Sequence, residues 1–128
     1  MSKKTITALM VEPNKHPEIM QLATDLDSLQ KAVSIGASYQ GLIELIGLGE
    51  GVCLLCNEEG KLIGLPGNRS LGRDVIAGVF YVVGSDPHGD LVSLTEQQIE
   101  DYKVLFWEPE VLSEQDVNHA LFMRFFSL

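Results

Sequence analysis

Between Cys53 and Arg73 the chain reads Cys-Leu-Leu-Cys-Asn-Glu-Glu-Gly-Lys-Leu-Ile-Gly-Leu-Pro-Gly-Asn-Arg-Ser-Leu-Gly-Arg, and most of its candidate chemistry lies here. Arg69 offers a planar fork of donors suited to a carboxylate or phosphate, and Asn68 can both donate and accept. Gly64, Gly67 and Gly72 would let a ligand approach the backbone closely. A loop with exposed polar side chains between buried strands is where small domains carry function. The candidate ligand surface is therefore Asn57, Glu58, Lys61, Asn68, Arg69 and Arg73. The competing expectation is structural: Asn68 closes a turn, and Arg69 pairs with Asp74 or with an acidic residue of the C-terminal helices.

Glu58 and Glu59 resemble a general acid/base pair only superficially. Adjacent residues on a solvated turn point apart, so the two carboxylates are not expected to share one proton-transfer site. The expectation is a polar turn in which Gly60 supplies a positive φ. Cys53 and Cys56 form a C-x-x-C, but Val52-Cys-Leu-Leu-Cys-Asn57 reads as a strand. Residues i and i+3 of a strand point to opposite faces, which separates the two thiols. Neither a redox pair nor half of a zinc site is expected, and His16, His88 and His119 are scattered.

Other constellations are also incomplete. Ser70, Thr95 and Ser113 have no His and Asp companions in a triad pattern. Gly47, Gly49 and Gly51 are not followed by Lys-Ser/Thr and open no helix, so they are not a phosphate loop. Asp86-Pro-His-Gly-Asp90 reads as a solvated turn rather than a metal site. No catalytic residue, metal or cofactor is assigned, and the balance leans away from an enzyme.

The 128 residues suffice for one domain (1–128) with a real core. No apolar run reaches the roughly 18 residues that span a bilayer. The basic start leads into a short apolar patch that reads as a first strand, so the expected location is the cytoplasm. The net charge is −9, unevenly spread: residues 1–85 carry 9 acidic and 7 basic side chains, residues 86–128 carry 9 and 2. Direct binding to a phosphate backbone is not expected from such a surface. The acidic third could face a basic partner; a solvated helix face is the plainer expectation, and imitation of DNA a rarer one.

The elements that would position these residues follow from periodicity and turn signals. Residues 5–12 and 18–23 read as a strand hairpin across Pro13 to Pro17. Asp25 or Asp27 caps a short helix carrying Leu29, Ala32 and Val33, stopped by Gly36. Residues 39–48, 52–57 and 62–65 read as strands. Val75 to Gly84 is a near-continuous apolar run, expected as one central strand covered on both faces. Thr95-Glu-Gln-Gln98 and Ser113-Glu-Gln-Asp116 open two helices, each with apolar residues at the staple positions. Pro109 ends the first of them. The expected fold is α+β: a mixed or antiparallel sheet of about five to six strands, with one short helix and two C-terminal helices packed on it.

The last helix, 113–128, is too apolar for one buried face. If one side packs on its own sheet, the other needs a cover, and a symmetric copy is the simplest supplier. A homodimer burying Phe122, Phe125 or Phe126 is the expectation; no membrane contact is expected, and the identity of any other protein partner is open.

Three segments resemble the uncharacterised family of the domain of unknown function numbered thirty-eight forty-six. They are Met10-Val-Glu-Pro13, Cys56-Asn-Glu-Glu-Gly-Lys-Leu-Ile-Gly-Leu-Pro-Gly-Asn-Arg69 and Asp74-Val-Ile-Ala-Gly-Val-Phe-Tyr-Val-Val-Gly84, with the helix start Ser93 to Ile99 also fitting. The resemblance spans 8–107 and leaves the last helix outside it. It implies a small protein of phages, plasmids and bacteria carrying mobile elements, in the setting of host–element conflict, and it implies no activity. Two readings are carried forward. One is a non-enzymatic accessory or regulatory protein that binds another protein through sheet edges or the last helix. The other is a small-ligand or nucleotide binder using the Asn57–Arg73 surface.

Overall fold

Thr5–Val11 (β1) and Glu18–Ala23 (β2) pair antiparallel in the computed structural model, which describes the backbone of residues 4–126 and side chains as far as Phe122. The helix Leu26–Ala32 (α1) follows, capped by Asp25, whose carboxylate accepts the Ser28 N–H at 3.1 Å. Ile43–Gly49 (β3) and Val52–Asn57 (β4) form a second hairpin. Gly67–Leu71 (β5) and Asp74–Ala77 (β6) form a third, and Phe80–Ser85 (β7) and Leu91–Val92 (β8) complete the strands. Two helices end the chain, Glu96–Leu105 (α2) and Glu114–Phe126 (α3).

The main sheet has the order β2-β1-β7-β4-β3, with β8 also on β7, and every pairing is antiparallel. β5 and β6 form a separate two-stranded sheet. The fold is α+β, as the turn spacing implies. Alternation along the strands divides the core in two. One face gathers Leu9, Val11, Leu54, Phe80 and Val82 under Leu94 and Phe106, with Ile76 of β6 beside them. The other gathers Ile6, Ala8, Leu55, Tyr81 and Val83 under Leu29 and Val33. Each fully buried large side chain contributes about 1.5–3 kcal/mol. α3 sits on the small sheet, where Val117 and Ala120 meet Leu65, Val75 and Ala77.

Both C-terminal helix starts form as their sequences dictate. Thr95 and Gln98 exchange hydrogen bonds as a capping box at 3.1 and 2.9 Å. Ser113 and Asp116 do the same at 3.1 and 2.8 Å, and the Ser113 N–H (2.8 Å) and hydroxyl (2.9 Å), both donating to Oδ2, hold the Asp116 carboxyl below its ordinary pKa. Among the described residues, no helix is long and apolar enough to cross a membrane.

Five local expectations are corrected. The run Val75–Gly84 is not one strand: Gly78 takes a φ of +83°, and the chain leaves the small sheet there to enter the large one. Only its second half, β7, is the central strand. Residues 62–65 are turns, and the strand lies at 67–71 instead. Gly60 has no positive φ; a Cβ there would come within 2.6 Å of the Ala77 carbonyl oxygen, so close packing requires the glycine. α1 ends at Val33 rather than being stopped by Gly36. β3 begins at Ile43, four residues later than residue 39, because residues 33–39 form turns and bends that Ser34 ties back, its hydroxyl accepting the Gly41 N–H at 2.9 Å.

Candidate functional site

The segment 57–73 runs from the end of β4 across a series of turns and through β5. Three of its polar side chains, Asn57, Asn68 and Arg69, turn inward. Asn57 is buried; its Nδ2 donates to the Val33 carbonyl at 3.4 Å and its Oδ1 accepts the Glu59 N–H at 2.9 Å. It ties the exit of α1 to the end of β4. Asn68 is fully buried and donates to the carbonyls of Val11 (2.8 Å) and Gly78 (2.9 Å), joining β1 to the point where the chain changes sheets. Its Oδ1 accepts from Arg69 Nη1 at 2.8 Å.

Arg69 is 1 % exposed. Its guanidinium donates to Phe106 O through Nε (3.1 Å) and Nη2 (3.0 Å), to Lys15 O (2.6 Å) and to Asn68 O (3.2 Å). Burial draws its pKa below the ordinary value, and the charge of Glu110 opposes that. The cation is held mainly by backbone carbonyls, which carry partial negative charge and need donors of their own. Both Asn68 and Arg69 therefore lie on a buried strand, not on an exposed loop, and Arg69 has neither of the carboxylate partners expected for it.

Lys61, whose side chain is 7 % exposed, pairs with Asp74, which also accepts the Val75 N–H at 2.8 Å. Glu58 and Arg73 remain exposed. Asn57, Glu58 and Lys61 line a depression of about 10 Å³ between Glu44 and Asp74, room for about one water. Arg73 lines a different hollow, beside His119 and Phe122 of α3. The six residues thus do not converge on one cavity. Beside the segment also lies a cleft of about 520 Å³ between Lys61, Leu65, Pro66, Glu110, Leu112 and Asn118, and the hollow at Arg73 is larger, about 670 Å³.

The two cysteines fall on opposite faces of β4. Cys53 packs with the α1 side, its thiol 3.6 Å from the Ser85 hydroxyl, and Cys56 is buried on the α2 side. Asp86 Oδ1 accepts the N–H groups of His88 and Asp90, both at 2.9 Å, so this loop is a self-bonded turn. Among the described residues, no group of three or more His, Cys, Asp or Glu could hold a metal ion.

Of the apolar residues expected at an interface, Phe122 is 57 % exposed on α3. The side chains of Phe125 and Phe126 lie outside the described residues. Two other surfaces escaped the sequence reading. His16 stacks on Trp107 with ring centres 4.1 Å apart, and its Nδ1–H donates to the Trp107 carbonyl at 2.6 Å. Leu45 stands 49 % exposed on β3, the end strand of the main sheet, and Leu42, the residue before the strand, 57 %. The alternation of residues 43–48 was the available signal, since nothing in the sequence supplies β3 with a second neighbour.

No curated protein and no solved structure matches the chain. The model of the family described as Domain of unknown function (DUF3846) matches residues 6–106, and the chain belongs to that family. The match ends at the residue whose carbonyl Arg69 holds, and α3 lies outside it.

Proposed function

We propose that this chain is a non-enzymatic accessory or regulatory protein that acts by binding another protein. One contrast carries the reading: Asn57, Asn68 and Arg69 are committed inside the fold, whereas Leu42 and Leu45 are exposed beside β3, whose outer edge no strand covers among the described residues. Exposed apolar side chains on an edge strand are costly to leave bare and favour pairing. The setting of conflict between a mobile element and its host is part of this proposal. A second copy meeting through α3 belongs to it as well, supported by Phe122 lying outside the buried Val117–Ala120 contact.

A second reading, a small-ligand or nucleotide binder, is favoured by the cleft beside Lys61. Amide exchange measured in buffer and in a protein fraction from the native source separates the two. Protection that survives dialysis and covers Leu42–Gly47 or Phe122 is the expected result. Protection that dialysis removes, centred on residues 61–67, would transfer the case to the second reading. No added protection anywhere would contradict the protein-binding proposal.

A further inference from the structure

We propose that β3 accepts an added strand, an extended segment of a partner protein whose side chains alternate between apolar and basic. The inference rests on the protein-binding reading and gives that partner its chemistry.

The backbone of β3 is set for it. Glu58 N–H donates to Leu42 O at 3.0 Å, which fixes the phase of the ladder. Bonded and non-bonded positions alternate in an antiparallel pair. Leu42, Glu44 and Ile46 therefore turn their backbone groups toward β4, opposite Glu58, Cys56 and Leu54. Ile43, Leu45 and Gly47 turn theirs outward, away from the sheet. Strand addition uses such a row of outward groups for affinity and the alternate side chains for specificity. Edge strands are ordinarily blunted by charged side chains, proline or a bulge, and lysine is the commonest of the charges; the one charge in β3 is Glu44. β3, Ile-Glu-Leu-Ile-Gly-Leu-Gly, holds neither lysine nor proline, and its irregularity lies only at the far end, between Gly47 and Gly49.

The two faces of β3 differ. On the α1 side, Leu45 is half-exposed and Gly47 has no side chain; a Cβ built on Gly47 meets nothing within 4 Å. Its cross-strand partner Cys53 is only partly buried. An opening thus lies beside Leu45, floored by Cys53. A large apolar side chain opposite Gly47 would fill it, as aromatic residues do beside strand glycines. On the opposite side stands Glu44, which accepts from the Cys56 thiol at 3.8 Å, with the exposed Glu50 after one end of β3 and the exposed Glu58 at the other. Incoming side chains on this side are therefore lysine or arginine, because opposite charges across a strand pair attract. A second copy at this edge would instead bring Glu44, Glu50 and Glu58 against their like.

The test uses the peptide Lys-Val-Lys-Phe-Lys-Val-Lys, its counterpart with Glu for every Lys, and a version with Pro for Phe. Amide exchange is read together with the rate of Cys53 alkylation by iodoacetamide. At saturation the basic peptide should slow exchange at Ile43, Leu45 and Gly47 by about tenfold or more. It should slow Cys53 alkylation several-fold, while the other two peptides do neither. Leu45→Lys should abolish both effects with its circular dichroism unchanged. Gly47→Val, which fills the opening, should weaken the peptide and slow alkylation without it. Protection confined to α3 or another surface would overturn the strand-addition inference and leave protein binding standing. Equal protection by the acidic peptide would overturn the basic partner. Protection of Leu45 that rises with protein concentration alone, with a dimer mass, would give the edge to a second copy and overturn the inference too.

Discussion

Arg69 and Phe106 are joined twice over: Nε and Nη2 both donate to the one carbonyl oxygen, at 3.1 and 3.0 Å. Phe106 is the C-cap of α2, so a buried cation faces the negative end of that helix. The same guanidinium reaches Lys15 between β1 and β2. One side chain therefore fastens the small sheet, a hairpin turn and a helix end.

Replacing Arg69 by Met should cost about 3 kcal/mol or more, since buried carbonyls lose their donors. Lysine should restore less than half of that, because a single ammonium cannot reproduce the fork. Urea denaturation of the two variants reads the difference. A loss below about 1 kcal/mol for Arg69→Met would mean that water replaces the guanidinium at no great cost.

Asn68 and Arg69 should act as a unit. The Nη1–Oδ1 bond at 2.8 Å couples them, and Asn68 holds Val11 and Gly78 with its other end. In a double-mutant cycle of Asn68→Ala with Arg69→Met, the coupling should reach about 1 kcal/mol. Additivity within about 0.5 kcal/mol would show two independent anchors.

Tyr81 gives the fold an alkaline limit. Burial, with a smaller contribution from Glu12, pushes its phenol up to about 12, and its hydroxyl donates to Ala32 O at 2.8 Å. Unfolded, it ionises near pH 10. Between about pH 10 and 12 the folded state holds the proton that the unfolded state has released, so stability falls as pH rises through that window and is unaffected below it. Stability measured against pH for the wild type and Tyr81→Phe should diverge in slope only there. Parallel slopes would place the phenol in contact with solvent.

The proposed dimer is checked by light scattering over a wide concentration range. A dimer mass that Phe122→Asp converts to a folded monomer is the expected outcome. A constant monomer mass at high concentration refutes it.

What the sequence made legible was local. The capping pairs Thr95–Gln98 and Ser113–Asp116 need only residues three apart, so their chemistry is readable in a line. The alternation that parts Cys53 from Cys56 is likewise a property of one strand. The break at Gly78 was hidden because apolar content on both sides conceals a change of backbone region. A signal was nonetheless there, a glycine in the middle of an apolar run. The burial of Asn68 and Arg69 left no comparable trace. Their partners are backbone carbonyls of Val11, Lys15, Gly78 and Phe106, and a carbonyl looks the same under every residue type. Polar side chains between glycines suggest a ligand loop until the distant carbonyls arrive. The apolar edge of β3 was missed for the complementary reason: which strand ends a sheet is decided by the other strands.

The bonds of Asn68 and Arg69 also bear on how long the native state lasts. They span 57, 54 and 37 positions of chain, to Val11, Lys15 and Phe106. Contacts that close such long loops carry their entropy cost before they return any stability, so they form late. The lock can close only after β1, the small sheet and α2 have met. Its energy is therefore absent from most of the climb and present at the start of the descent, so it works chiefly as a brake on unfolding. The protein's lifetime in the native state, more than its speed in reaching it, hangs on one arginine and its neighbour.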